Sequence, residues 1–183
     1  FPTRRSSDLV RYTDYGRSCG TDDLMRDEHL SGLLVLHHGQ ILLERYALGL
    51  DPTQRWQSSS MVKSIASTLI GAALHDGLIK NLDDAMTRYL PDFAGTAYEG
   101  VTIRHLLNMT SGIGWTEDYE DLRADVAEHY IKPIAARRGG YIRAYLKSLQ
   151  RLDAPGTQFY YNTGDTFLLS LILSAATGRP QSC

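Results

Sequence analysis

The chain has 183 residues, 43% of them hydrophobic and 22% charged, with a formal net charge of -2. Such a composition describes an ordinary globular domain with room for one sizeable core. The near-neutral balance gives no reason to expect nucleic acid or anionic lipid as a partner, and no apolar run approaches the ~20 residues that span a bilayer.

In chain order, the N-terminal stretch comes first. Phe1 to Leu9 reads FPTRRSSDL, the peptide that a common sequencing-adapter oligonucleotide encodes. It is expected to be read-through rather than protein and is left out of fold reasoning, as processing segments are. The folded domain is then residues 10–183. A leader peptide ahead of it would be invisible, so the compartment is left open. Cys19 and Cys183 stand near opposite ends and suggest neither a disulfide framework nor a zinc site.

After a polar lead-in, Leu33 to Leu36 and Ile41 to Leu43 flank His37-His38-Gly39-Gln40, and two apolar runs around a short glycine-containing turn predict a β-hairpin. Ser60 to His75 has helical character, with Met61, Ile65, Leu69 and Ala72 spaced to face a core. Gly77 is its stop. Asn81 to Asp84 is expected to open a short helix ending before Pro91, and Thr102 to cap a third that carries Ile103, Leu106 and Leu107. Thr116 to Glu128 is acidic and predicted to be mostly loop. Tyr141 to Leu149 is predicted helical, Pro155-Gly156 a turn, and Phe167 to Ala176 a last helix stopping at Gly178. A strand pair followed by many helices predicts an α+β fold, an antiparallel sheet with helices segregated from it. One hairpin cannot make a stable sheet, so further strands are expected beyond those seen.

Ser60-Met61-Val62-Lys63 is an S-x-x-K at a helix start. A spacing of three places both side chains on one helical face. A serine hydroxyl is a poor nucleophile until a base takes its proton, and a desolvated lysine can serve. An N-cap serine followed by a solvated lysine would show the same letters, so context decides. About a hundred residues on stands Tyr160-Tyr161-Asn162, set between Pro155-Gly156-Thr157-Gln158-Phe159 and Thr163-Gly164-Asp165. A tyrosine beside a cationic lysine can shuttle protons, and an asparagine can hold a lysine and a substrate carbonyl together. Taken alone, paired tyrosines more often pack a core.

SSSMVKSIASTLIGAALHDGLI, VTIRHLLNMTSGI and PGTQFYYNTGDTFLLSLILSAATGRP together resemble the β-lactamase-related serine hydrolases. That family takes in class C β-lactamases, D-Ala-D-Ala carboxypeptidases, family VIII esterases and 6-aminohexanoate-dimer hydrolases. The resemblance implies a β-lactamase or penicillin-binding-protein fold. It also implies Ser60 as nucleophile, Lys63 as its base, Tyr160 as proton shuttle and Asn162 as a positioning group, with Tyr161 a substitute for Tyr160. No metal or organic cofactor is implied, and the partner is a small ester or amide. The NTGDT and NMTSG segments resemble the esterase and amide-oligomer branch. A β-lactamase or D-Ala-D-Ala carboxypeptidase is the second reading, and a silent penicillin-binding-like sensor the third. The family's third motif, K-T-G or H-x-G on a strand, is not found before Cys183. That predicts a truncated chain, inactive alone.

Other patterns are set aside. Gly16-Arg17-Ser18-Cys19-Gly20 fits a G-x-S-x-G elbow, but Arg11 to Tyr15 does not read as the buried strand an elbow needs. His37 and His38 read as turn residues, and Asp83-Asp84 and Glu117-Asp118 as helix-start and loop charges rather than catalytic carboxylates.

Overall fold

A computed structural model of the chain describes residues 11–128 and 140–179. The segment read as adapter sequence, Phe1 to Leu9, lies outside these residues, as do Pro180 and Cys183. The chain divides after Gln57 into two compact units.

The first unit holds two antiparallel hairpins and a short helix. Strands β1 (Arg11–Asp14) and β2 (Arg17–Gly20) pair through Tyr15-Gly16, whose φ angles of 44° and 80° suit the twist of a two-residue hairpin turn. This hairpin departs from the polar lead-in expected from sequence. Only Cys19 is buried along its strands, so no apolar alternation advertised it. Ser18 lies inside β2, opposite Thr13, and not on a strand-to-helix elbow. Helix α1 (Thr21–Asp27) follows, its first turn tied by Gly20 N–H donating to Asp23 at 2.9 Å. Strands β3 (Gly32–His37) and β4 (Gln40–Tyr46) form the predicted hairpin, turning at His38-Gly39 with φ of 48° and 74°. Leu43 is buried, while Leu34, Leu36, Ile41 and Leu42 are exposed.

The second unit is helical. Helix α2 (Val62–His75) is preceded by a 3-10 turn at Ser59–Met61. Helix α3 is Ile103–Leu107, α4 Tyr141–Ser148 and α5 Thr163–Thr177. Helix α2 packs against α5, and α3 does likewise. Ile70, Ile79, Met86, Phe93, Tyr98, Ile103, Leu106, Ile113, Leu146, Leu168 and Ile172 make the core. The Phe93 and Tyr98 rings meet edge to face at 5.7 Å. Thr102 caps α3 as expected: its hydroxyl accepts the His105 N–H, and His105 Nδ1 accepts the Thr102 N–H, both at 3.2 Å.

Two expectations need correction. The stretch before Pro91 is not an α-helix. It makes a single 3-10 turn at Met86–Arg88, with another following at Pro91–Phe93, because Ala85 is drawn into a bridge with Thr102 instead. In α2 the stripe facing the core is Ala66, Ile70 and Ala73, whereas Met61, Ile65 and Leu69 are 58%, 55% and 51% exposed and Ala72 is exposed as well. Apolar residues occupy both stripes, so periodicity alone could not separate them. The small Ala66 and Ala73 allow close approach, and the stripe containing them is the buried one. Its spacing of three, four and three runs back from Ala73 to Lys63, which carries the lysine onto the packed face.

Candidate active site

Ser60 lies within the 3-10 turn that leads into α2, and Lys63 in the first helical turn. Both are half-buried. Ser59, just before the nucleophile candidate, adopts φ 44°, a left-handed conformation unusual outside glycine. Lys63 Nζ donates to Ser60 Oγ at 3.0 Å and to Thr163 Oγ1 at 3.1 Å. Serine and lysine are therefore in the contact that their spacing predicted.

The second half of the site is presented by the loop before α5. Gly156 N–H donates to the Thr110 carbonyl at 2.7 Å, and Tyr160 N–H to that of Met109 at 3.0 Å. The Leu152 and Asp153 N–H groups both donate to the Gly112 carbonyl, at 2.8 and 3.1 Å. The NMTSG loop thus acts as the backing strip on which the tyrosine segment is laid. Gly112 is required there: its φ is 74°, and a Cβ on it would stand 2.1 Å from the Asp153 carbonyl oxygen.

The tyrosines and Asn162 are arranged differently from the sequence-based assignment. The Tyr160 hydroxyl donates to Asp153 at 3.0 Å, and that carboxylate pushes the phenol upward from its ordinary pKa. Tyr161 instead lays its ring 5.0 Å from Lys63 Nζ, within cation–π range. Asn162 is 1% exposed, and its Oδ1 accepts the Asp165 N–H at 3.0 Å as the N-cap of α5. Committed to the cap, it does not hold Lys63. Thr163, one residue on, does.

Glu117, read from sequence as a loop charge, joins this group. Its carboxylate accepts the Thr163 N–H at 3.2 Å and the Tyr119 hydroxyl at 2.7 Å, together with the Thr163 hydroxyl and Trp115 Nε1. Desolvation opposes its ionisation, but these donors outweigh that and lower its pKa, so it is a carboxylate at neutral pH. Gly164 makes the approach possible. A Cβ there would stand 2.8 Å from Leu146 Cδ2 and 2.9 Å from Trp115 Cζ3. No spacing rule pairs Glu117 with Thr163, and the lone cue in the sequence is a tryptophan and a tyrosine bracketing two acids, Glu117 and Asp118. The connected set is therefore Ser60, Lys63, Thr163 and Glu117, with Tyr161 beside the lysine.

Against known proteins, residues 21–182 match the family model described as Beta-lactamase. The 6-aminohexanoate-dimer hydrolase of Paenarthrobacter ureafaciens is 31% identical over 148 residues, covering 79% of this chain and 38% of that protein. A solved Bacillus anthracis structure, assigned as a 6-aminohexanoate-dimer hydrolase, superposes with TM-score 0.78 at 23% identity over 96% of this chain and 47% of that one. A class C β-lactamase in complex with cefoxitin gives 0.59 at 22% identity, over 86% and 43%. The chain spans less than half the length of these relatives.

Proposed function

Because the chain belongs to the β-lactamase family of hydrolases and carries part of that fold, we propose that it cleaves an ester or small amide through an acyl-enzyme on Ser60. The observation that carries this reading is the 3.0 Å contact between Lys63 Nζ and Ser60 Oγ, with the lysine pinned from its other side by Thr163. In the first step the neutral Lys63 amine takes the Ser60 proton as Oγ bonds to the substrate carbonyl carbon and the π pair moves to oxygen. Positive potential at the start of α2 favours that oxyanion. Collapse of the tetrahedral species expels the alcohol or amine, which must gain a proton. We assign the relay from the ammonium to Tyr161, an assignment supported by its ring lying 5.0 Å from Lys63 Nζ, and keep Tyr160, whose hydroxyl is bonded to Asp153, as the alternative. Water then repeats the sequence on the acyl-serine and frees the acid.

The relative's name specifies a 6-aminohexanoate dimer, which supports an esterase or small-amide hydrolase before a β-lactamase. The test on the full-length protein compares a nitrophenyl ester, a 6-aminohexanoate dimer, a chromogenic cephalosporin and a D-Ala-D-Ala peptide. It also seeks a fluorophosphonate adduct on Ser60. Ester or dimer turnover that vanishes with Ser60→Ala is expected. A folded protein that takes no adduct would favour a binding module instead.

A further inference from the structure

We propose that Glu117 is a positioning residue for the Lys63 amine, acting through the Thr163 hydroxyl; the proposal rests on the acyl-enzyme reading above. Within the acidic loop, Asp118 and Glu120 are exposed while Glu117 is half-buried. A carboxylate withdrawn from water has to be compensated by donors, and Glu117 receives the four described above, all from neutral groups. Two come from one residue, Thr163, so the carboxylate grips that residue by both its backbone and its side chain.

The direction of the hydrogen bonds follows from proton counting. An ionised carboxylate only accepts, and a threonine hydroxyl has one proton to give. Thr163 spends that proton on Glu117. Towards Lys63 it can present lone pairs alone, so it must accept an N–H from the amine. A neutral amine has two hydrogens and one lone pair. With one N–H anchored on Thr163, the lone pair is left for the Ser60 proton at 3.0 Å. Without Glu117 the Thr163 hydroxyl is free to turn its own proton onto the Lys63 lone pair, in competition with Ser60. Glu117 thus sets the order Lys63 to Thr163 to Glu117 and keeps the base facing its nucleophile. No proton passes through Glu117 itself.

The experiment follows covalent labelling of Ser60 by a fluorophosphonate, separating the limiting rate from probe affinity, with unfolding midpoints in parallel. The variants are Glu117→Leu, Glu117→Gln, Thr163→Val, Thr163→Ser, the double Glu117→Leu/Thr163→Val, and Lys63→Ala. Glu117→Leu and Thr163→Val should each slow the limiting rate by about ten- to a hundredfold while probe affinity stays put. The double variant should fall no further than the worse single, because the two act as one unit. Thr163→Ser keeps the hydroxyl and should restore most of the rate. If Glu117→Leu does not fold, the isosteric Glu117→Gln carries the comparison, because its amide nitrogen must confront one of the four donors and it should slow similarly. A folded Glu117 variant with the wild-type rate, or losses that add in the double, overturns this inference while Lys63→Ala remains dead. If Lys63→Ala labels as fast as wild type, the underlying acyl-enzyme reading falls, and this inference with it.

Discussion

The Tyr161 ring lies 5.0 Å from Lys63 Nζ, while the hydroxyl of its neighbour Tyr160 is bonded to Asp153 at 3.0 Å. Two adjacent, similarly exposed tyrosines are thereby given different surroundings, and they should answer differently to loss of the hydroxyl. Tyr161→Phe is expected to lower kcat for an amide by about a hundredfold or more, the usual scale of a lost proton-transfer group. Tyr160→Phe should stay within about tenfold. An activated nitrophenyl ester, whose leaving group needs no proton, should feel Tyr161→Phe much less. A larger loss for Tyr160→Phe than for Tyr161→Phe would return the role to Tyr160.

Gly112 and Gly164 hold the two halves of the site together and should be costly to replace, for different reasons. At Gly112 an added Cβ meets backbone at 2.1 Å with φ at 74°, which allows no local escape. At Gly164 it meets the ends of Leu146 and Trp115 at 2.8 and 2.9 Å, and side chains can yield. Gly164→Ala is expected to cost about 1–3 kcal/mol, the range of overpacking, and Gly112→Ala more. Denaturant midpoints of the two variants measured side by side would reveal the order, and a reversed order would contradict the contact geometry.

These contrasts show where sequence reading works and where it stops. Ser60 and Lys63 were legible because a spacing of three on a helix brings side chains together whatever surrounds them. The β3–β4 hairpin and the Thr102 cap were legible for the same local reason. Thr163 and Glu117 were not, since 46 residues separate them and only the α5 docking joins them. Asn162 matched the letters of a motif, yet the start of α5 claimed its side chain as a cap. The α2 face was misread because both of its stripes are apolar, and only the presence of α5 chooses between them.

Asp165 links stability to pH. It is fully buried, and both carboxylate oxygens lack a proper donor, with the Ser111 hydroxyl and amide at the margin of hydrogen-bond geometry. Burial pushes its pKa up to about 8, opposed only in part by Ser111. The unfolded chain releases this proton near pH ~3.9, so across the interval the folded state binds more protons. Its contribution is complete below about pH 4 and is lost as pH rises towards about 8, by at most about 1.4 kcal/mol per pH unit. Asp165→Asn should remove this slope and gain stability relative to wild type as pH rises. Urea midpoints of both proteins near pH ~5 and ~8 check it; parallel curves would show that Asp165 is ionised in the fold.

The two faces of α2 make opposite predictions, and they bear on the site as much as on the fold. Ile70 is fully buried, whereas Ile65 is 55% exposed, so the same Ile→Ala change should cost about 2–5 kcal/mol at position 70 and under about 0.5 kcal/mol at position 65. Had the stripe of Met61, Ile65 and Leu69 been the buried one, the ranking would invert and Lys63 would be turned away from α5. Denaturation of this chain with each substitution therefore reads the rotation of α2. Ile70→Ala should also slow Ser60 labelling, since a cavity two turns from Lys63 loosens the packing that holds it to Thr163. A large loss at Ile65 with none at Ile70 would undo both the observed face and the 3.1 Å Lys63–Thr163 contact on which the catalytic reading depends.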